Sequence, residues 1–383
     1  MNLAKILNVY DARLATQRRL PRGLFQYVDR GAEDEISLRA TRAALDAVRL
    51  TPVALNDVSA RSLQAEVLGK IRPLPIAIAP TAAAGLVWRD GELELAKAAA
   101  AAGIPFCVAT QSITAIERIA PSGAELWFQL YVWNNRQRML DLLDRAWANG
   151  ARTLLLTVDT VVPPNREYNE RNGYGIPLTP SLRAAIDLAL HPRWTADVFL
   201  GTLLRHGVPT YAHYPAEFRT RIGREALTNE MALAQDLDWD DVKQIRRHWK
   251  GQFLIKGVLS PIDARRAIEH ELDGVVVSNH GARNLDAAPS PADVLPSIAE
   301  AVQGRIAILA DSGIRRGSDI ARYIALGASG VLVGRATLYG LGAGGTAGAK
   351  HVLDLLADEL STVMGFLGVT RLSDLPGVVR YKV

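Results

Sequence analysis

Eight short apolar runs, each ending in a polar cluster, set the first constraint on the fold. They are 74–80 (LPIAIAP), 104–109 (IPFCVA), 126–131 (LWFQLY), 151–159 (ARTLLLTVD), 253–258 (FLIKGV), 274–279 (GVVVSN), 305–312 (RIAILADS) and 330–335 (GVLVGR). A run apolar on both faces suits a strand of a parallel sheet covered by helices. Helical patterns fill most of the gaps, at 92–103, 114–120, 137–150, 261–270 and 317–328, and several stop at a glycine that can serve as C-cap. This alternation predicts an α/β fold, a (β/α)8 TIM barrel. An open doubly wound sheet would usually have fewer strands.

About 90 residues separate the fourth run from the fifth, far more than a βα loop needs, so an insertion is expected at about 160–250. Its centre, 181–214, carries Trp194, Phe199, Tyr211 and Tyr214 beside Leu188, Leu190, Leu200, Leu203 and Leu204. Arg183, Arg193 and Arg205 against Asp187 and Asp197 leave it near neutral. Such a segment suits a lid or subunit contact over the barrel mouth, or an in-plane contact with a membrane surface. No stretch is long and apolar enough to span a bilayer. Residues 1–70 predict a helical cap with a short strand pair at 63–71. No linker or low-complexity stretch interrupts the chain, so 1–383 reads as one domain with an insertion.

Lys5, Asp11 and Arg13 break up any signal-peptide core, and 1–20 reads as an amphipathic helix. The single cysteine, Cys107, excludes an internal disulfide framework, and with the missing export signal it suggests a cytoplasmic setting. A net charge of +4, from 44 basic and 40 acidic residues, is too small to argue for nucleic acid.

In a barrel, chemistry gathers where strands end at the C-terminal face. The residues there are Pro80, Thr81 and Ala82; Gln129 and Tyr131; Thr157 and Asp159; Lys256; Ser278 to Arg283; Asp311 to Arg315; and Gly334 with Arg335. Asp311, Gly313, Arg315, Gly334 and Arg335 follow the last two strands, the usual place for a phosphate cradle opening onto a short helix N-terminus. His280 is the histidine at a strand tip; the other six lie in helices, at a helix end or in the insertion, and no chemistry is expected of them. A base beside Arg283, with Asp159 to orient it and Arg166 as a second guanidinium, fits an acid substrate that loses a proton near its α position. The literal G-x-G-x-x-G at 340–345 lacks the preceding strand of a dinucleotide site and is expected to be a loop before the last helix. No metal-ligand motif is visible.

These segments carry a resemblance. SNHGARNLD (278–286), FQLYV (128–132), TVD (157–159), IKG (255–257), DSGIRRG (311–317) and GRATLYG (334–340) resemble the FMN-dependent L-2-hydroxy acid dehydrogenases and oxidases, over nearly the whole chain. The segments 59–70 and HPRW (191–194) look most like the mandelate dehydrogenases of that family. The resemblance implies oxidation of an L-2-hydroxy acid to its 2-oxo acid with FMN, the acid being mandelate-like, with L-lactate or glycolate as alternatives. It implies His280 as base with Asp159 as partner, and Arg283 and Arg166 on the substrate carboxylate. Tyr131 and Tyr27 would reach the substrate, and Lys256 the flavin ring. Pro80, Thr81, Ala82, Gln129, Thr157 and Ser278 would line the isoalloxazine and ribityl groups, and Asp311, Gly313, Arg315, Gly334 and Arg335 the ribityl and phosphate end. It also implies O2 or a quinone as electron acceptor, a homotetramer, and attachment of 181–214 to the inner face of the cytoplasmic membrane.

Four positions depart from the pattern. Asn284 stands where the family usually has glutamine, Ala109 where it has serine, and Pro164 where it has glycine. That proline fixes φ and could re-aim Arg166. Ala82 is alanine as in the oxidases, where the dehydrogenases look glycine-like, so the acceptor stays open. On the residues alone, a phosphate-binding barrel isomerase and a regulator without turnover also remain open.

Overall fold

The computed structural model describes residues 2–172, 182–218, 228–378 and 380–382. Residue 181, at the head of the membrane or lid segment, lies outside them, as do the side chain of Arg183 and parts of the 160–250 insertion. Among the described residues, eight parallel strands close a barrel: β1 (Ile76–Ile78), β2 (Phe106–Ala109), β3 (Leu126–Leu130), β4 (Thr153–Thr157), β5 (Gln252–Val258), β6 (Gly274–Val277), β7 (Ala307–Ala310) and β8 (Gly330–Val333). All eight expected runs become these strands, and β8 pairs with β1 to complete the ring.

The strands are buried on both faces because they separate two apolar layers. Ile76, Phe106, Phe128, Leu154 and Val277 face the helices. Ala77, Cys107, Trp127, Leu155, Leu254, Val276, Leu309 and Leu332 fill the barrel interior. Side chains alternate along a strand. Two residues beyond each interior apolar residue therefore comes another inward one: Gln129 after Trp127, Thr157 after Leu155, Lys256 after Leu254, Ser278 after Val276 and Asp311 after Leu309. The same alternation that packs the core thus turns a polar ring inward at one end. At the opposite end, the antiparallel pair Ala65–Val67 and Lys70–Arg72 inserts Val67 among the interior residues as a plug.

The N-terminal segment forms a 3-10 turn, Leu3–Lys5, and then the helices Val9–Arg19, Arg22–Asp29 and Ile36–Ala47. The first of these helices is capped by Asn8, whose side chain accepts from Asp11 N at 2.9 Å. The third is capped across the fold: Ile36 N and Ser37 N both donate to Asp286 at 3.0 Å. This fastens the cap to the His280 loop.

The glycine-rich stretch at 340–345 is not a loop. It lies inside the helical run Arg335–Leu367, broken at Gly344 and Gly345. A Cβ on Gly340 would stand 2.5 Å from Gly348 O, and one on Gly348 2.1 Å from Gly340 O. The glycines therefore let two helical segments meet backbone to backbone.

In the insertion, Leu182–Leu190, Pro192–Trp194, a π-helical turn Thr195–Leu200 and Gly201–His206 follow one another. Trp194 is buried and donates to Leu86 O at 2.8 Å. Beyond these helices, His213 and Tyr214 are buried against the tips of β2 and β3. Ile186, Leu190, Phe199, Leu200, Leu203 and Leu204 remain exposed, Leu190 at 72% and Leu204 at 85%. Among the described residues, no helix is long and apolar enough to cross a membrane.

Candidate active site

The loop leaving β6 holds three successive left-handed residues, His280 (φ 58°), Gly281 (φ 63°) and Ala282 (φ 59°). Two of them bear side chains and are strained there. The turn survives because its backbone is anchored: His280 N donates to Ser278 Oγ, Gly281 N to Ser312 Oγ and Ala282 N to Asn279 Oδ1. Asn279 in turn donates to Thr41 Oγ1 in the cap at 2.7 Å. At Gly281, a Cβ would stand 2.8 Å from the Arg335 guanidinium.

The anchored turn places His280 Nδ1 2.9 Å from Asp159 Oδ1, with the imidazole 21% and the carboxylate 16% exposed. A carboxylate accepts, so Nδ1 carries the proton and Nε2 keeps a free lone pair. Tyr131 Oη is 3.5 Å from that Nε2. Burial, with Lys256 and Arg166, pulls the imidazole below its ordinary pKa, and Asp159 opposes them. Burial pushes the Asp159 carboxyl up, but His280, Lys256 and Thr160 outweigh it and hold it below the usual carboxylate range. Gly257, at φ 106°, leaves room for this pair, since a Cβ there would stand 2.5 Å from Asp159 Cγ.

Lys256 is buried inside the barrel, 3.0 Å from Ser278 Oγ and 3.2 Å from Asp311 Oδ2. Burial works against its charge, yet Asp311 and Asp159 raise its pKa and keep it a cation. Gln129 donates to Thr157 Oγ1 at 3.0 Å and accepts from Thr110 N at 3.2 Å. Pro80, Thr81 and Ala82 follow β1, and Thr81 Oγ1 is buried without a hydrogen-bond partner among the described residues.

Four arginines converge above this ring. Arg283 donates to Tyr27 O at 2.7 Å and Arg30 O at 3.0 Å and lies over the Tyr27 ring. Arg166 donates to Arg283 O at 3.0 Å, so Pro164 does not turn it away. Arg335 donates to Val28 O and Arg30 O. Arg315 lies over Tyr339, and its side chain donates to Ile314 O. Their side-chain hydrogen bonds go to carbonyl and amide oxygens, with no carboxylate acceptor among the described residues. Burial and the neighbouring Arg283 depress both Arg166 and Arg335 to about 10. Asp29 lies near Arg335, but crowded cations hydrogen-bonded to neutral oxygens make a site for anions, and a phosphate plus a carboxylate would suit it. Together with the orphaned Thr81 hydroxyl, this donor set fits FMN.

The phosphate end differs from expectation in one respect. The helix Gly317–Ala325 does not offer its N-terminus. Arg315 N and Arg316 N donate to Asp319, and Gly317 N to Glu359. Those amides are already satisfied, so what this loop can offer is the Arg315 side chain and the positive-φ turn at Ser312 and Gly313.

Motif reading missed several residues. Asp286 and Asn279 lie within SNHGARNLD, yet what they fasten is the distant cap. Thr160 directly follows TVD and donates to Asp159 Oδ1 at 3.1 Å. Tyr211, Tyr214 and Trp133 pack in an aromatic cluster, with Tyr211–Tyr214 centroids 5.3 Å and Trp133–Tyr214 centroids 4.9 Å apart and Trp133 and Tyr214 fully buried. Burial and the phenols of Tyr27, Tyr214 and Tyr131 raise the Tyr211 pKa. His213 is a neutral strut: Ile116 N donates to its Nε2, its Nδ1 is 3.0 Å from Ala109 O, and burial lowers it to about 4.

The FMN-dependent dehydrogenase family profile matches residues 16–380. An L-lactate dehydrogenase of Stenotrophomonas maltophilia is 42% identical over 368 residues, 95% of this chain and 96% of that one. An (S)-mandelate dehydrogenase of Pseudomonas putida is 40% identical over 97% of this chain and 92% of its own. Among solved structures, the monotopic membrane protein (S)-mandelate dehydrogenase superposes with a TM-score of 0.93 at 39% identity, covering 99% of this chain and all of that one. A mandelate oxidase superposes with a TM-score of 0.83 at 32% identity over 98% of both chains. With the barrel, the His280–Asp159 pair and the arginine cluster already in view, the chain belongs to the FMN-dependent dehydrogenase family, an oxidoreductase acting on CH–OH donors with FMN as its cofactor.

Proposed function

We propose that residues 1–383, as one domain, oxidise an (S)-2-hydroxy acid of mandelate type to its 2-oxo acid. The observation that carries this reading is the His280–Asp159 pair set beside Arg166 and Arg283. FMN supplies, when bound, the capacity to take two electrons. His280 Nε2 accepts the proton from the substrate, and Asp159 stabilises the imidazolium. Arg283 and Arg166 hold the carboxylate, and Tyr27 and Tyr131 orient the acid. Lys256 offers positive charge to the flavin ring; Pro80, Thr81, Ala82, Gln129, Thr157 and Ser278 line it. Asp311, Gly313, Arg315, Gly334 and Arg335 take the ribityl and phosphate end. This family reading replaces the flavin-free isomerase and the regulator without turnover.

The likeness to an (S)-mandelate dehydrogenase, with a TM-score of 0.93, favours an aryl side chain on the substrate. L-lactate is the second reading, favoured by relatives of that name; glycolate is a smaller variant of it. Mixing the yellow protein anaerobically with (S)-mandelate, L-lactate or glycolate decides between them. Bleaching is expected fastest with mandelate. Fastest bleaching with lactate selects the second reading, and no bleaching by any of the three rejects both.

We further propose that the exposed face of Ile186, Leu190, Phe199, Leu200, Leu203 and Leu204 rests on the inner leaflet of the cytoplasmic membrane, where a quinone rather than O2 takes the electrons. An exposed apolar patch of this kind needs a partner, and a structural relative is a monotopic membrane protein. Replacing the exposed Leu190, Leu203 and Leu204 together by serine should abolish co-sedimentation with liposomes while activity with an artificial acceptor persists. A parent protein that never co-sediments removes the membrane contact and favours O2. The chain is also proposed to form a homotetramer, for which Leu7, Tyr10, Leu55 and Phe366 offer exposed apolar surface; light scattering of the purified protein gives the mass directly.

A further inference from the structure

Between the carboxylate anchor Arg166 and the base His280 runs an unbroken chain of hydrogen bonds. Arg166 Nη2 donates to Asn284 Oδ1 at 3.3 Å. Asn284 Nδ2 donates to Thr160 Oγ1 at 2.7 Å and to Asp159 O at 2.9 Å. Thr160 Oγ1 donates to Asp159 Oδ1 at 3.1 Å. That same oxygen accepts from His280 Nδ1 at 2.9 Å.

Chemistry forces the direction of every link. A guanidinium has no acceptor, and a carbonyl or carboxylate has no donor. The amide must therefore turn its oxygen to Arg166 and its nitrogen to Asp159. The hydroxyl, having accepted from the amide, has its proton left for the carboxylate. Hydrogen bonds aligned in this way polarise one another. A bond donated to a carboxylate stabilises its charge and weakens its hold on a neighbouring imidazolium.

The groups facing His280 are Asp159 from the β4 tip, the Thr160 hydroxyl 3.4 Å from Nδ1, Lys256 from β5, the Tyr131 phenol from the β3 tip, and Arg166. Arg335 stands against Gly281. Lys256 already has Asp311 as a partner. Arg166 is wired to Asp159 through side chains, and on the reading above a substrate carboxylate would neutralise it.

We propose that Thr160 and Asn284 are positioning residues that form a one-way relay, through which a carboxylate docking on Arg166 strengthens the Asp159–His280 base. The proposal rests on the assignment of His280 as base and Arg166 as anchor. Without the acid, Arg166 pulls on Asp159 through the relay and the base is held weak. With the acid bound, the pull relaxes and the imidazole gains proton affinity when the substrate is in place.

The test is a titration of the His280 imidazole in the FMN-bound enzyme, followed by NMR of 13C-labelled histidine with and without benzoate, a carboxylate that cannot be oxidised. Thr160→Val and Asn284→Ala are expected to raise the midpoint of the free enzyme by about 0.5–1 unit, roughly 3–10-fold in proton affinity. They should also shrink the further rise that benzoate produces. Thr160→Ser, which keeps the hydroxyl, should titrate like the parent. The acid limb of flavin reduction should move to higher pH in the two broken-relay variants. Parent-like midpoints in Thr160→Val and Asn284→Ala overturn the relay, as does a Thr160→Ser protein that behaves like Thr160→Val. Thr160→Val is nearly isosteric, so retained FMN and an unchanged melting temperature separate loss of the relay from loss of fold. Failure of the base assignment shows separately, as parent-like flavin reduction in His280→Ala.

Discussion

Replacing His280 with alanine is expected to leave FMN in place and to slow flavin reduction by about 10²–10⁴-fold, the range for loss of a positioned general base. The geometry separates the two effects. His280 meets Asp159 and Tyr131, whereas the groups proposed for the cofactor are the ring of Gln129, Thr157, Lys256 and Ser278 and the arginines beyond it. In the parent enzyme the sign of the pH dependence follows from the lowered imidazole pKa. The base is neutral and competent at pH 7. The kcat/KM for flavin reduction, which reports the free enzyme, is lost as pH falls through a value below the ordinary imidazole range of about 6.5. Stopped-flow reduction by (S)-mandelate across pH 5–8 measures both. A variant that reduces its flavin at the parent rate would show that another group takes the proton.

Arg283→Lys is expected to weaken binding of a carboxylate and slow reduction together, by about 10–100-fold in kcat/KM. This corresponds to the roughly 1.5–3 kcal/mol of a charged hydrogen bond. The charge survives the substitution but the planar fork does not. A lysine ammonium also has fewer donors to share between the Tyr27 and Arg30 carbonyls and an incoming acid. Benzoate dissociation constants for parent and variant separate binding from chemistry. Unchanged benzoate affinity would put the anchor on Arg166 alone.

Much of this molecule is legible in the linear chain, for two reasons. A strand buried on both faces must be apolar throughout, so the eight runs stood out against the helical patterns between them. The polar residues that end the runs then placed Gln129, Thr157, Lys256, Ser278 and Asp311 at one end of the barrel, and the strand period of two, seen in the folded chain, turns them inward. The loop 278–286 was equally visible, because it follows an apolar run and places a histidine at a strand tip.

What the linear chain did not contain are interactions between residues far apart in it. The aim of Arg166 looked doubtful because Pro164 restricts the local backbone. It is settled by Arg283 O and Asn284, more than 110 residues away. The glycines at 340–345 resembled a turn, but they serve a backbone contact with Gly348. The helix after β7 promised free amides until Glu359 and Asp319 were found on them. In the insertion, composition counted the aromatic and leucine side chains. Only the packed structure divided them, burying Trp194 and Tyr214 and leaving Leu190 and Leu204 in solvent. Periodicity and strand burial are local consequences of covalent geometry and are written into the sequence. Hydrogen-bond partners and exposure depend on which distant surfaces meet, and those are fixed when the barrel closes.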